Sequence, residues 1–302
     1  MAVTVNNPQQ AVSTRDADRP PARHYVGITL RYILLTLMSL LFFSPFLLSF
    51  FGTFKTGVEI LAYPPEIFPR TWNPNNWVRV FQFTVPPMTG PSIPWWTFNS
   101  LWLAVVNVIT QMFFCSLAAY AFARIRFPGR EAIFAIMIAT MTIPGVVTLI
   151  PGYVFFAKIG WINTYWPLII PKLVVPFGIF MLAQFFRSIP KDLEEAAFMD
   201  GLGRFGTFWN IAVPLSRPAL ITLAILQFQA SWNEFTGPFL YLQDVGLKTL
   251  TAGMAFFRQQ FIVDFSAMLV GAMLNAIPVL VLFFIFNKYY TESSSYAGLA
   301  GQ

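Results

Sequence analysis

The chain has 302 residues, of which 56% are hydrophobic and only 11% are charged, and its mean hydropathy is +0.61. Ordinary soluble domains carry roughly 25% charged residues, and a soluble protein with so little charge would expose apolar patches that aggregate. The composition therefore excludes the soluble globular classes and indicates a protein that spans a bilayer. One cysteine and one histidine exclude a disulfide framework and a Cys/His zinc site.

Six apolar runs are each long enough to cross a membrane, which takes about 20 residues. They predict an all-α polytopic membrane protein with spans at about residues 32–54, 98–123, 132–157, 164–186, 218–241 and 265–287. Pro144 and Pro151 predict kinks in the third span. Residues 29–288 form the transmembrane domain, between a disordered polar tail at residues 1–28 and a C-terminal tail at residues 289–302.

The lysines and arginines are distributed unevenly between the loops. With the N-terminus inside, twelve of the 19 lie on the cytoplasmic side, six lie outside, and Lys172 falls within a span. The positive-inside rule then places both termini in the cytoplasm. Because these basic residues flank spans, the formal net charge of +6 does not predict a nucleic-acid partner. Residues 55–97 and 241–264 become long outer loops, and the first is large enough to contact a partner.

The cytoplasmic stretch at residues 187–217 has strong helix punctuation. Pro190 suits a first helical turn, and the acidic residues after it complement the positive end of the helix dipole. Ala196 and Ala197 leave one face of this helix smooth, and Gly201 is predicted to cap it in the left-handed conformation. A second short helix is predicted to carry aromatic residues on one face and to end at a proline: Phe205, Phe208, Trp209 and Pro214. Taken alone, the stretch also fits an amphipathic loop at the membrane interface.

The same stretch carries a motif of the binding-protein-dependent ABC permeases. That motif reads Glu-Ala-Ala, three residues, Gly, and about nine residues to Ile-x-Leu-Pro. This chain has Glu195-Ala196-Ala197, then Gly201, then Ile211-Ala212-Val213-Pro214. Residues 117–124 and 232–235 add agreement, and the resemblance covers about residues 30–290. The chain thus resembles the MalG-type permease subunits of carbohydrate ABC importers.

The resemblance implies a type I importer (MetI-like) fold and a subunit of the bacterial inner membrane that performs no covalent chemistry. The importer would use ATP to move a sugar, an oligosaccharide, or a related polyol or glycoside. Implied partners are a second, MalF-like permease, two copies of an ABC ATPase and an extracytoplasmic solute-binding protein. Residues 187–217 become a coupling loop that contacts the ATPase. The implied coupling residues are Glu194, Glu195, Ala196, Ala197, Asp200, Gly201, Phe205 and Pro214.

No G-x-x-x-x-G-K-[ST] loop is present, so this chain has no phosphate-cradling motif of its own. ATP and Mg²⁺ would be bound by the separate ATPase, and we expect no cofactor, catalytic residue or metal ligand here. The chain departs from the family pattern in a longer outer loop at residues 82–97 and in a divergent C-terminal tail. A permease for a non-sugar solute stays open, as does a secondary transporter, although no internal repeat supports the latter.

Polar side chains inside the spans are the candidates for a substrate pathway. Gln227, Ser231 and Glu234 fall at i, i+4 and i+7 and form one stripe. Beside it lie Asn233 and Trp232, whose ring is of the kind on which sugars stack. The stripe either lines the pathway or hydrogen-bonds neighbouring helices. In the second span, Ser100, Asn107 and Gln111 form another stripe, and helix packing is the use that we favour for it. Lys172, in the fourth span, either extends its side chain outward to the membrane surface or lines the pathway.

Overall fold

The structure is a computed structural model that describes residues 22–258 and 263–299, with side chains described for residues 27–258 and 263–286. Within those ranges it is helical and contains no strand, only a single bridge between Arg258 and Val263. Four helices are long and apolar enough to cross a membrane, and two bent helix pairs raise the number of candidate spans to six. The predicted all-α membrane fold is confirmed.

Three spans are continuous helices and are longer than the sequence predicts: α1 (Ala22–Gly52), α2 (Ser92–Arg124) and the last helix (Phe265–Leu299). The second span begins at Ser92 instead of residue 98 because Pro94 lies in the first turn, where the missing N–H costs no hydrogen bond. Residues 22–28, predicted as part of a disordered tail, are helical, and residues 289–299 of the C-terminal tail continue the last helix. The rest of the predicted tails, residues 1–21 and 300–302, lies outside the described residues.

The third span is broken. Its first half, α3 (Arg130–Ala139), continues into a 3₁₀ turn at Thr140–Thr142, and the chain then bends by 99° before α4 (Gly145–Lys158). Pro144 lies at this bend, as predicted, since a residue before proline avoids the helical conformation. Pro151 instead lies inside α4.

The fourth span is also interrupted. Short turns at Trp166–Ile169 and Ile170–Lys172 precede α5 (Pro176–Ser188), and residues 173–175 between them are irregular. The coupling loop follows as α6 (Lys191–Met199) and α7 (Arg204–Leu215). A bend of 78° separates α7 from the fifth span, α8 (Arg217–Trp232).

The prediction of one uninterrupted fifth span at residues 218–241 is wrong. The helix ends at Trp232, and α9 (Thr236–Tyr241) starts after a gap of three residues. In a continuous helix the ring of Pro238 would clash with the carbonyl of Glu234, four residues earlier. That carbonyl instead accepts a hydrogen bond of 2.6 Å from Thr251 Oγ1. The last helix, Phe265–Leu299, is α10 and completes the bundle.

Spans two, four and five form the tightly packed centre. A Cβ atom at Gly178 of α5 would lie 3.2 Å from Cys115 Sγ on α2 and 3.4 Å from Leu223 Cδ1 on α8. Small residues at helix contacts are how membrane helices approach closely. Tyr120, Phe186 and Phe208 extend this core to the coupling loop.

The two long loops that the sequence predicts outside pack against each other and cap one end of the bundle: the ring centroids of Phe83 and Phe257 are 4.3 Å apart, and Arg79 Nη2 lies 3.0 Å from Asp264 Oδ2. Asn76 Nδ2 donates 2.9 Å hydrogen bonds to the carbonyls of Thr53 and Lys55, and Ser266 Oγ donates to the same Lys55 carbonyl at 2.9 Å. Trp96 is fully buried there. Short helices complete the cap: Gly57–Ile60, Asn75–Gln82, Val245–Leu247, Leu250–Gly253 and Met254–Phe257. Because α2 starts at this cap and ends beside the coupling loop, the two lie at opposite ends of the bundle.

Candidate functional site

The turn between α6 and α7 has the geometry predicted for Gly201. This glycine has φ +86°, in the left-handed region. Its N–H donates to the carbonyl of Phe198, and the N–H of Leu202 donates to that of Ala197, each at 3.0 Å. This is the Schellman arrangement, which satisfies the last carbonyls of a helix and fixes the direction of the chain after it.

A buried charge pair fastens the start of α6 to the end of α2. Arg124 Nε lies 2.9 Å from Glu194 Oε1, with side chains only 7% and 10% exposed. The N–H is misaligned for a hydrogen bond, so the contact is an ion pair, whereas Arg124 Nη2 donates to the carbonyl of Ile189. Burial raises the pKa of the Glu194 carboxyl, and the positive charge of Arg124 acts against that rise.

Ala196 and Ala197 do not share one free face. Ala197 is 4% exposed and packs on the bundle beside Glu194, three residues earlier. Ala196 is exposed, as are Glu195, Asp200 and Gly201. The prediction that both alanines smooth an outward face is therefore wrong for Ala197, because the i, i+3 spacing puts it on the buried side.

The aromatic residues of α7 are also divided between two faces. Phe208 is 1% exposed and packs on Tyr120, with ring centroids 5.2 Å apart. Phe205 and Trp209 are 65% and 54% exposed. The helix passes through Pro214 and ends at Leu215. A π turn over Phe208–Ala212 precedes the proline, and such wider turns accommodate interrupted hydrogen bonding.

The polar stripes of the second and fifth spans meet each other. Asn107 Nδ2 donates to Ser231 Oγ at 2.9 Å, and both residues are buried. This contact makes Ser231 a helix-packing residue in this conformation. Gln227 is half-buried on α8. Ser100 Oγ, also from the second-span stripe, accepts the N–H of Leu250 at 2.8 Å and so ties α2 to the cap.

Trp232 lies in the core, where its ring has no face free for a sugar. The side chain is 1% exposed, its ring stacks on Phe228, and Nε1 donates to the carbonyl of Asn275 at 2.9 Å. The expected stacking platform is therefore corrected to a packing residue. Asn233 is exposed, and its Oδ1 accepts a 2.8 Å hydrogen bond from Asn275 Nδ2.

Lys172 and Glu234, which the sequence left unconnected, form an ion pair. Lys172 Nζ donates to Glu234 Oε2, with side chains 26% and 24% exposed. Glu234 lies past the end of α8, so it is not on the helical face of Gln227 and Ser231. Within the described residues, no three His, Cys, Asp or Glu side chains form a metal-binding group.

This arrangement of broken spans, a cap at one end and two short helices packed on the other end of the bundle can be compared with known proteins. The model of the family described as "Binding-protein-dependent transport system inner membrane component" matches residues 111–292, more than half of the chain. The chain belongs to this family. The resemblance proposed from the coupling motif is confirmed, and that motif lies on α6 and α7.

Two relatives and one solved structure illustrate the similarity. The diacetylchitobiose uptake system permease protein NgcG of Streptomyces coelicolor is 31% identical over 277 residues, covering 90% of this chain and 88% of that protein. The trehalose/maltose transport system permease protein MalG of Thermococcus litoralis is 30% identical over 271 residues, covering 88% and 94%. A bacterial ABC transporter that imports the acidic polysaccharide alginate superposes with a TM-score of 0.75 at 20% identity, covering 90% of this chain and 99% of the other. The last comparison shows a shared fold.

Two ion pairs of this permease were missed by sequence reasoning. The Arg124–Glu194 pair joins residues 70 positions apart, and Lys172–Glu234 joins residues 62 apart. One signal was present for the second pair: charges within a membrane span are costly and tend to pair. For Arg124 there was none, because an arginine at the end of a span is usual in a membrane protein.

Proposed function

We propose that this chain is one of two membrane subunits of an ATP-driven importer that moves a sugar or oligosaccharide across the cytoplasmic membrane. The observation that carries the proposal is the coupling loop. It pairs a firmly anchored buried face, made by Glu194 and Ala197, with an outward face at Ala196. Such a segment transmits force in both directions between the spans and whatever binds its outer face.

The partner on that outer face is proposed to be an ABC ATPase, in two copies per transporter. Met199, Phe205 and Trp209 are 88%, 65% and 54% exposed at the end of the bundle that holds the coupling loop. Exposed apolar side chains grouped in this way are typical of an interaction site. ATP and Mg²⁺ bind the ATPase in this proposal, and this subunit holds no cofactor and catalyses no reaction.

The second permease subunit is proposed to cover span surfaces that this chain leaves open. In the apolar window of α1, no residue is buried within the chain. Lipid or a partner's helices must cover such a surface, and a related, MalF-like chain supplies the latter. The solute-binding protein is proposed to dock on the outer cap, and both termini are proposed to lie in the cytoplasm, as the twelve-to-six distribution of basic residues predicts.

The carbohydrate substrate is proposed from the relatives, whose names specify diacetylchitobiose and trehalose or maltose. Gln227, Asn233 and Glu234 stay as candidate pathway residues, because each is at least partly exposed. Ser231 and Trp232 support the pathway by packing. An importer for a non-sugar solute is the alternative, and it uses the same coupling loop.

The test is ATP-dependent uptake by the complete transporter in proteoliposomes, assembled from this chain, its partner permease, the ATPase and the binding protein. We expect accumulation of at least one labelled di- or oligosaccharide with internal ATP and none with ADP. Amino acids and metal ions serve as the competing panel. Uptake of a panel solute without uptake of any sugar supports the alternative, and uptake driven by an ion gradient without ATP contradicts the proposal.

A further inference from the structure

The Lys172–Glu234 pair joins two interruptions of the membrane spans. Lys172 ends the 3₁₀ turn before the irregular residues 173–175 of the fourth span. Glu234 lies in the gap between α8 and α9 of the fifth. About a quarter of each side chain is exposed. The pair is thus neither sealed in the core nor free at the surface.

Both interruptions lie at membrane depth. The 16 residues of α8 extend about 24 Å and the 13 residues of α5 about 20 Å, whereas the hydrocarbon core is about 30 Å thick. Irregular backbone at that depth is tolerated only where protein buries it or where it lines a water-filled cavity. The two charged side chains are partly exposed, and exposing a charge to lipid is energetically costly. The exposed part of the pair therefore faces water or the partner subunit.

The two charges neutralise each other, and the contact between them uses only part of their hydrogen-bonding capacity. Lys172 and Glu234 are the only charged residues of the six apolar runs that the sequence predicts as spans. An ammonium has three donors and a carboxylate about four acceptor positions, and one contact joins them here. A hydroxyl group, which donates and accepts at once, can bind to both. An anionic solute, in contrast, would have to compete with Glu234 for Lys172.

We propose that the Lys172–Glu234 pair is a charge filter in the translocation pathway, which accepts uncharged, hydroxyl-rich solutes and disfavours anionic ones. The nature of the solutes rests on the proposed function, whereas the electrostatics of the site does not. Neutralising Glu234 leaves Lys172 uncompensated, and the site then attracts anions. Reversing both charges restores a neutral pair and with it the original preference.

The electrostatic part is tested by thiol chemistry in the complete transporter, without any sugar. Cys115, the single native cysteine, is replaced by alanine, and Glu234→Cys is introduced. Its reaction with an anionic methanethiosulfonate (ethylsulfonate) is compared with that of a cationic one (trimethylammonium), each normalised to its rate with a free thiol. Tyr63→Cys in the cap, where the native side chain is 95% exposed, is the control for open water.

We expect Glu234→Cys to prefer the anionic reagent by about tenfold or more, the lower range of electrostatic focusing in a cleft. Adding Lys172→Met should abolish the preference, and Tyr63→Cys should show none. The reaction rates are measured in both the resting and the ATP-bound transporter, and a preference for the anionic reagent in either state supports the proposal. A Glu234→Cys that reacts with neither reagent in either state, or with both equally, overturns the proposal.

The selectivity part is tested by uptake of labelled trehalose and of an alginate trisaccharide as the neutral and anionic probes. Glu234→Gln should lower the trehalose-to-alginate uptake ratio by about tenfold, the range of charge-driven rate effects, and Lys172→Glu/Glu234→Lys should restore it. An unchanged ratio in Glu234→Gln overturns the filter. If no sugar is transported by the native protein while the reagent preference is present, the proposed function fails and the charge filter stands.

Discussion

Arg124 is the residue on which the position of the coupling loop depends most. It holds Glu194 and the carbonyl of Ile189, so it binds both the start of α6 and the turn before it. Removing one partner of a buried ion pair costs about 3–5 kcal/mol, because the other charge stays buried and uncompensated. Arg124→Gln should therefore detach α6 from the bundle while the spans still insert.

The effect of Arg124→Gln should depend on pH. Burial raises the pKa of Glu194, so the folded loop binds a proton more tightly than the unfolded loop does. The protonated Glu194 carboxyl therefore stabilises the folded loop fully at pH values below the pKa of Glu194 in the unfolded loop. This stabilisation is lost as the pH rises through the pKa of Glu194 in the folded loop. Trypsin cleavage within residues 187–217, relative to the native protein, should be fast in Arg124→Gln at neutral pH and should slow as pH falls toward 4.5, the ordinary pKa of the carboxyl. Arg124→Gln/Glu194→Gln should show no such pH dependence, and a pH-independent single variant would contradict this account.

Gly201 supports a second prediction at the scale of single residues. Its φ of +86° is unfavourable for a side chain, although a Cβ atom there would meet nothing within 4 Å. Gly201→Val should cost on the order of 1–3 kcal/mol of local strain and reduce co-purification of the ATPase. Gly203→Val is the matched control, since Gly203 also has open space but an ordinary φ of −76°. Equal losses in both variants would show that the left-handed turn is not the cause.

The fifth span shows what hydropathy can and cannot predict about an element. The apolar run at residues 218–241 predicts one continuous span, whereas the helix ends at Trp232 and a second helix begins at Thr236. The break arises from Pro238, whose ring would clash with the carbonyl of Glu234 in a continuous helix, and from Thr251, whose hydroxyl donates a hydrogen bond to that carbonyl. The second contact comes from another part of the chain, so no local pattern contains it.

The bend in the third span and the two ends of α6, in contrast, were predictable, because residues close in sequence determine them. Pro144, Gly201 and Pro190 act on backbone conformation within one or two residues, and the structure places each at an element boundary. The orientation of α6 was not predictable, because the side that faces the bundle depends on Arg124, far away in sequence. The assignment of Ala197 to the outward face failed for that reason.

The short helix α9 supports a prediction of its own. A Cβ atom at Gly237 would lie 2.5 Å from Glu234 Oε1 and 2.8 Å from Leu168 Cδ2. Gly237→Ala should thus push the carboxylate away from Lys172 and impair uptake, with normal amounts of protein in the membrane. Gly246→Ala in the cap is the control, because its nearest neighbour, Asp244 Oδ1, would be at an ordinary 3.5 Å. Native uptake in Gly237→Ala would mean that the geometry of the ion pair is not needed.

For the whole molecule, the structure separates an outer cap from the coupling loop by the length of the bundle. The distribution of basic residues predicts that the coupling loop lies in the cytoplasm. Reporter fusions after Ser293 should be active only inside the cell, and insertions of the reporter within residues 70–80 only outside. A C-terminal fusion that is active outside would reverse the orientation and remove the coupling loop from reach of an ATPase.

The central claim is that α6 and α7 link the spans to ATP hydrolysis. The most direct measurement is the ratio of sugar uptake to ATP hydrolysis in Ala196→Leu, normalised to the amount of permease. Leucine keeps the helix and adds bulk only on the exposed docking face; Ala132→Leu adds the same bulk at an exposed site outside the coupling loop. We expect Ala196→Leu either to lose the ATPase or to hydrolyse ATP with a ratio of sugar uptake to ATP hydrolysis that is at least tenfold lower. The reason is that a loss of about 1.4 kcal/mol of docking energy lowers affinity about tenfold. Ala132→Leu should behave like the native protein. Native uptake, hydrolysis and ATPase binding in Ala196→Leu would contradict the claim.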